Sequence, residues 1–124
     1  MKKLIISKNI GFCFGVNRTV KMAETLLKKH KTLYSIGDIV HNPVVMDDLK
    51  LKGLKVTNNL KEITDCPFIV RSHGIGQGKL NQLKKQGVDI YDATCPSVKK
   101  LHSLIKKLDK KKYFVIIIGN KKHP

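Results

Sequence analysis

Five side chains able to ligate a metal or hold an anion fall just after five short apolar runs: Cys13, His41, His73, Cys95 and His123. Cys13 sits between Phe12 and Phe14, with Gly11 and Gly15 outside them. The thiol could be a small apolar filler beside two aromatics, but the glycines weaken that reading, because in those places they let the main chain approach a ligand and present N–H groups to it. Cys95 lies in Asp92-Ala-Thr-Cys-Pro96, where the proline suits a first helical turn. Its sulfur would then meet the positive end of a helix dipole, which favours the thiolate. His41 precedes Asn42-Pro43 and His73 precedes Gly74-Ile-Gly76, a turn at a helix start. Imidazole and backbone N–H groups there can jointly hold phosphate oxygens. Taken singly, each histidine is more often structural; together on one rim they favour a site.

No Cys-x-x-Cys pair occurs, which argues against a zinc finger or ribbon. Any metal must be held by residues that converge in space, and Cys13 with Cys95 suits a cluster held between loops better than a local knuckle. A zinc module built from Cys13, Cys95 and a rim histidine is the alternative. Three residues of similar chemistry read differently. His30 ends a lysine-rich helix, His102 lies within one, and Cys66, in Thr64-Asp-Cys-Pro67, precedes an apolar run and so faces the opposite rim as an inert thiol.

The elements that position these residues follow from periodicity. Residues 4–7, 32–36, 68–71, 88–91 and 113–118 read as strands, being short, β-branched or aromatic, and bounded by turn residues. Helical spacing joins Val16, Val20, Ala23 and Leu27; Val45, Met46 and Leu49; Leu80 and Leu83; and Val98, Leu101, Leu104, Ile105 and Leu108. The alternation predicts an α/β fold, a mostly parallel sheet flanked by helices. In such sheets ligands bind beyond the carboxyl ends of the strands, where all five rim residues are expected. There is no internal repeat. Residues 113–118 form the most apolar run, of the kind buried on both faces of a parallel sheet, yet they fall close to the last residue. The expectation is a truncated chain, with residues 1–95 as a first domain and residues 96–124 as the opening helix and strand of a second.

The formal net charge of +16 permits phosphorylated small molecules, anionic surfaces or nucleic acid. Of 25 lysines and arginines only Arg18 and Arg71 are arginine, and the lysine runs lack interleaved aromatics, which argues against base reading or stacking. No apolar run reaches signal-peptide or membrane-spanning length, so a soluble cytoplasmic protein with thiols, rather than disulfides, is expected.

Gly11-Phe-Cys-Phe-Gly-Val16 with Arg18, Val40-His-Asn-Pro43, Ser72-His-Gly74, Asp92-Ala-Thr-Cys-Pro96 and His123-Pro124 resemble, in order and spacing, the 4-hydroxy-3-methylbut-2-enyl diphosphate reductase family. The resemblance spans the chain. It implies three similar α/β domains around a 4Fe-4S cluster held by three cysteines, with Cys13 and Cys95 as two of the ligands and the third absent from this chain. It implies that His41 and His73 contact the substrate diphosphate, and that His123 acts near the substrate hydroxyl in its proton-transfer network. The family's reaction is a reductive dehydroxylation yielding isopentenyl and dimethylallyl diphosphate, the last step of non-mevalonate isoprenoid biosynthesis, with electrons from a reduced ferredoxin or flavodoxin type donor. The family's proton-donating glutamate ordinarily follows the His-Pro pair, and its members are about twice this length. Activity of the 124 residues alone is therefore not expected, and a nonenzymatic basic fragment that binds phosphorylated anions or nucleic acid is the alternative.

Overall fold

The apolar stripe that begins at Val16 is realised as helix α1 (Phe14–Lys29), which buries Thr19, Ala23 and Leu26 and ends on Lys28 and Lys29, cations suited to the carbonyl end of the helix dipole. The structure, a computed structural model, describes residues 3–7 and 10–119. After α1 come β1 (Leu33–Ser35), α2 (Pro43–Leu51), β2 (Leu54–Val56), a 3-10 turn (Leu60–Glu62), β3 (Phe68–Val70), α3 (Gln77–Lys85), β4 (Ile90–Asp92) and α4 (Pro96–Lys110). Each helix matches an expected stripe.

The four strands form one parallel sheet in the order β2-β1-β3-β4, so the α/β expectation holds. The ladder between β1 and β2 pairs three residues, as does that between β3 and β4, whereas β1 meets β3 only at Tyr34 and Phe68. The chain winds away from this centre in both directions. Helix α2 and helix α1 cover one face, through Ala23, Leu26, Met46 and Leu49, with Leu33 and Ile69 beneath them. Helix α3 and the 3-10 turn cover the other, where Leu60, Ile63 and Leu83 pack on Phe68 and Val70. Strand β3 is buried along its whole length, and each such side chain removed from water stabilises the fold by about 1.5–3 kcal/mol.

Two strand expectations need correction. Residues 4–7 and 113–118 join no strand of the sheet among the described residues, and Leu4, Ile5, Phe114 and Ile118 are exposed. Their composition fits burial, but a strand exists only where another strand supplies its ladder. Conversely, β2 was not expected. It is an edge strand that buries only Leu54, too weak a pattern to stand out, although Gly53 marks its start. Helix α4 also departs from its neighbours, since none of its residues is buried.

The turn from α2 into β2 depends on Gly53. Its φ is +112°, and a Cβ added there would collide with the backbone carbonyl oxygen of Lys31. Gly87, before β4, has φ +72° but open space around it. Gly53→Ala is therefore expected to destabilise the domain by about 3 kcal/mol or more, and Gly87→Ala by about 1 kcal/mol. Urea unfolding followed by circular dichroism measures both, and equal losses would contradict the assigned close approach at Gly53.

Candidate functional site

Because β1 and β3 connect onward in opposite directions, the loops leaving their carboxyl ends diverge and open a crevice between them, the place where parallel sheets bind ligands. His41 follows β1 and His73 follows β3. Their rings meet across this crevice, with centroids 4.8 Å apart and planes tilted by 45°. Local chemistry places each one. Asn42 caps α2, its Oδ1 accepting from the Val45 N–H at 3.1 Å, and Pro43 occupies the first turn, so His41 stands at the mouth of that helix. His73 is presented by a turn in which the Gly74 N–H donates to the Arg71 carbonyl at 2.9 Å, with Gly74 at φ +83°.

The two thiols occupy matching positions. Cys13 is the N-cap of α1 and Cys95 the N-cap of α4, and their carbonyls accept the first helical bonds from Asn17 and Lys99. Helix α1 runs antiparallel to β1, which brings its first turn to the carboxyl rim. A Cβ added to Gly15 would stand 2.7 Å from Cys95 Sγ and 3.1 Å from Cys95 Cβ, so the start of α1 rests against the start of α4. Cys13, two residues before Gly15, shares that junction. The Cys95 thiol is pulled below its usual range by the Ser97 amide first and the Val98 amide second, with the Ser97 hydroxyl and the Arg18 charge adding to them and burial opposing. Neither contact is a strict cap hydrogen bond, but both dipoles face the sulfur.

Small buried polar groups bind the loops together. Ser72 Oγ donates to the Ile39 carbonyl at 3.3 Å, tying the loop after β3 to the loop after β1. The Cys95 N–H donates to the Ser72 carbonyl at 2.9 Å, adding the loop after β4. Thr19 Oγ1 lies 3.0 Å from the Gly15 carbonyl and 3.1 Å from that of Ala93, sharing its proton between α1 and the last loop. The Arg18 guanidinium reaches the Thr94 and Asp92 carbonyls at 3.5 Å. Asp92 in turn accepts from the Thr94 N–H at 2.9 Å and pairs with Lys99 at 2.6 Å, setting the direction in which α4 leaves. Burial pushes the Asp92 carboxyl up, but Lys99 and both Thr94 donors outweigh it and hold the group below its usual value.

Four of the five expected rim residues thus occupy this rim, as two pairs; His123 lies outside the described residues. Cys66 is on the opposite rim, in a cleft of about 350 Å³ with His30, Asp65 and Asp89. Sequence reasoning missed a second cleft beside the site, of about 490 Å³, between the start of α3 and α4. It is lined by Gln77, Lys99, His102 and Lys106, and the spacing of Lys99, His102 and Lys106 along one helical face was the available signal. Among the described residues no group of three or more histidine, cysteine and acidic side chains is placed to hold a metal ion.

The family model described as LytB protein matches residues 4–124. The 4-hydroxy-3-methylbut-2-enyl diphosphate reductase of Dictyoglomus turgidum is 43% identical over 122 residues, and that of Aquifex aeolicus 41% identical over 125. These alignments cover 98% and 100% of the chain but 43% of each relative, so the chain spans less than half the length of the curated relatives it matches. A solved (E)-4-hydroxy-3-methyl-but-2-enyl diphosphate reductase, described as the terminal enzyme of the non-mevalonate pathway, superposes with TM-score 0.82 at 41% identity over 98% of this chain and 43% of its own. The E-1-hydroxy-2-methyl-but-2-enyl-4-diphosphate reductase of Plasmodium falciparum superposes with TM-score 0.84 at 34% identity, over 91% and 36%.

The junction at Gly15 yields a direct measurement. In a chain whose Cys13 and Cys66 are replaced by serine, iodoacetamide is expected to modify Cys95 with a midpoint below the ordinary pH of 9.0, because the thiolate persists to lower pH. Gly15→Ala displaces the sulfur from the Ser97 and Val98 amides and should move the midpoint up toward that value; an unchanged profile would refute the contact.

Proposed function

The chain belongs to the LytB protein family, and from that premise we propose that it supplies one thiolate corner and one diphosphate-binding wall of a reductase. The substrate is 4-hydroxy-3-methylbut-2-enyl diphosphate and the products are isopentenyl and dimethylallyl diphosphate. The observation that carries the reading is the placement of Cys13 and Cys95 at two abutting helix N-termini on the same stitched rim as the His41 and His73 pair. Residues 1–95 form the first α/β domain and residues 96–124 open the next, consistent with α4 burying none of its residues.

The donor set fits an iron-sulfur cluster in part. Cys13 and Cys95 are thiols at helix starts, and the Ser97 and Val98 amides hold the Cys95 thiol below its usual range, toward the thiolate that iron requires. Cys66 is separated from them by the depth of the sheet and is not the third ligand. When bound, a 4Fe-4S cluster with an iron open to substrate supplies electrons and Lewis acidity at the allylic oxygen. The remaining work falls to the chain itself. His41 and His73 donate hydrogen bonds to diphosphate oxygens, and the amides at the start of α2 add to them. The bond from Ser72 to Ile39 keeps the two histidine-bearing loops at a fixed spacing. The close approach at Gly15 holds the start of α1, which Cys13 caps, against Cys95. His123 serves the proton relay at the substrate hydroxyl. Electrons come from a reduced ferredoxin or flavodoxin type donor, and the setting is the cytoplasm. Among the described residues no helix is long and apolar enough to cross a membrane.

Two experiments test this reading. Inorganic pyrophosphate titrated into the chain should perturb the imidazole resonances of His41 and His73, and either His→Ala change should weaken binding by about tenfold. Affinity undiminished from the parent's in both variants, or equal affinity for arbitrary DNA, would instead support nonspecific anion binding. Anaerobic treatment with iron and sulfide should give weak iron-sulfur absorbance that is lost in Cys13→Ala and Cys95→Ala and kept in Cys66→Ala. The 124 residues alone should show no turnover above a protein-free control. Loss in Cys66→Ala, or zinc without acid-labile sulfide, would contradict the ligand assignment.

A further inference from the structure

Two asparagines stand at helical N-caps, and their amides end differently. Asn59 Oδ1 accepts from the Lys61 N–H at 3.1 Å and its Nδ2 donates to Glu62 Oε1 at 3.1 Å, so both ends of the group are used inside the 3-10 turn. Asn42 Oδ1 likewise accepts from the Val45 N–H at 3.1 Å, but its Nδ2 meets no acceptor among the described residues. Helix α2 has no acidic residue in its first turn to play the part of Glu62. The capping bond also settles which way the amide faces, since a rotated group would set one donor against another. Asn42 is thus a half-buried side chain pinned at its oxygen, with two N–H bonds left over beside His41.

The backbone of α2 offers an anion little at this point. Pro43 carries no N–H, the Val45 N–H is spent on Asn42 Oδ1, and the Met46 N–H donates to the Asn42 carbonyl at 3.0 Å, which leaves that of Val44. We infer that Asn42 Nδ2 is a third side-chain donor to the diphosphate, alongside His41 and His73. This rests on the reading of the His41 and His73 crevice as the diphosphate wall, and it adds a residue of a different kind. An amide donates without taking up a proton, so it holds a phosphate oxygen whatever the charge on the imidazoles. The cap has already fixed its rotamer in the free chain, so little ordering is left to oppose binding.

Isothermal titration of inorganic pyrophosphate into the 124-residue chain tests this. Asn42→Ser and Asn42→Asp both keep a capping oxygen, so melting is expected to stay near the parent's. Asn42→Ser should weaken binding about tenfold, the loss of one donor to a charged acceptor, and Asn42→Asp about 100-fold, because a carboxylate then faces the anion. The same two changes at Asn59 should leave the affinity within about twofold, since charge at a distance is screened. Parent affinity in Asn42→Ser, or equal weakening by Asn42→Asp and Asn59→Asp, overturns the inference. Should Asn42→Ser melt lower, the comparison of the two aspartate variants decides. His41→Ala and His73→Ala separate this inference from the reading beneath it. Weakening in both, with none in the Asn42 variants, refutes the third donor alone, whereas parent affinity in both removes the wall itself.

Discussion

The absence of a side chain at Gly15 is the constraint on which the site depends. Any Cβ at that position would enter the van der Waals radius of Cys95 Sγ, so only glycine lets two helices begin at the same point. Helix N-termini each carry partial positive charge, and bringing two together is unfavourable unless something anionic lies between them. A thiolate at Cys95 answers that requirement from the α4 side. The Ser97 and Val98 amides that lower the Cys95 pKa show half of this balance in place.

The sheet order explains why this junction shares a rim with the histidines. Helix α1 precedes β1 and α4 follows β4, so their starts converge on the carboxyl side although they are distant in sequence. Hydroxyls then fix the loops at short range. Thr19 and Ser72 are buried and each donates to a backbone carbonyl of a different loop, a role that valine or alanine could fill in volume but not in bonding.

Much of this was legible in the sequence, and the failures have physical causes. The helices were found because a 3.6-residue stripe and a proline at the start are local signals, as at Cys95-Pro96. The rim followed from the rule that parallel strands expose function at their carboxyl ends. Residues 4–7 and 113–118 were assigned wrongly because apolar composition reports what a segment would gain by burial, whereas pairing is a property of two segments. Strand β2 was missed for the opposite reason, since an edge strand needs only Leu54 inside. The two glycines around Cys13 looked alike, yet they do different work. Gly11 has φ +95° in open space, and Gly15 is helical and chosen for its lack of volume. Close approach of that kind is a tertiary fact with no local trace.

The single register pair between β1 and β3 has a further consequence. The sheet has a seam there, at the point where its two windings part, and the His41 and His73 rings sit on opposite banks of it. An anion gripped by both would act as a clasp across the least-laddered joint of the sheet. Ligand affinity and cohesion of the two halves then become one linked quantity, and occupancy of the crevice raises the cost of pulling the sheet apart.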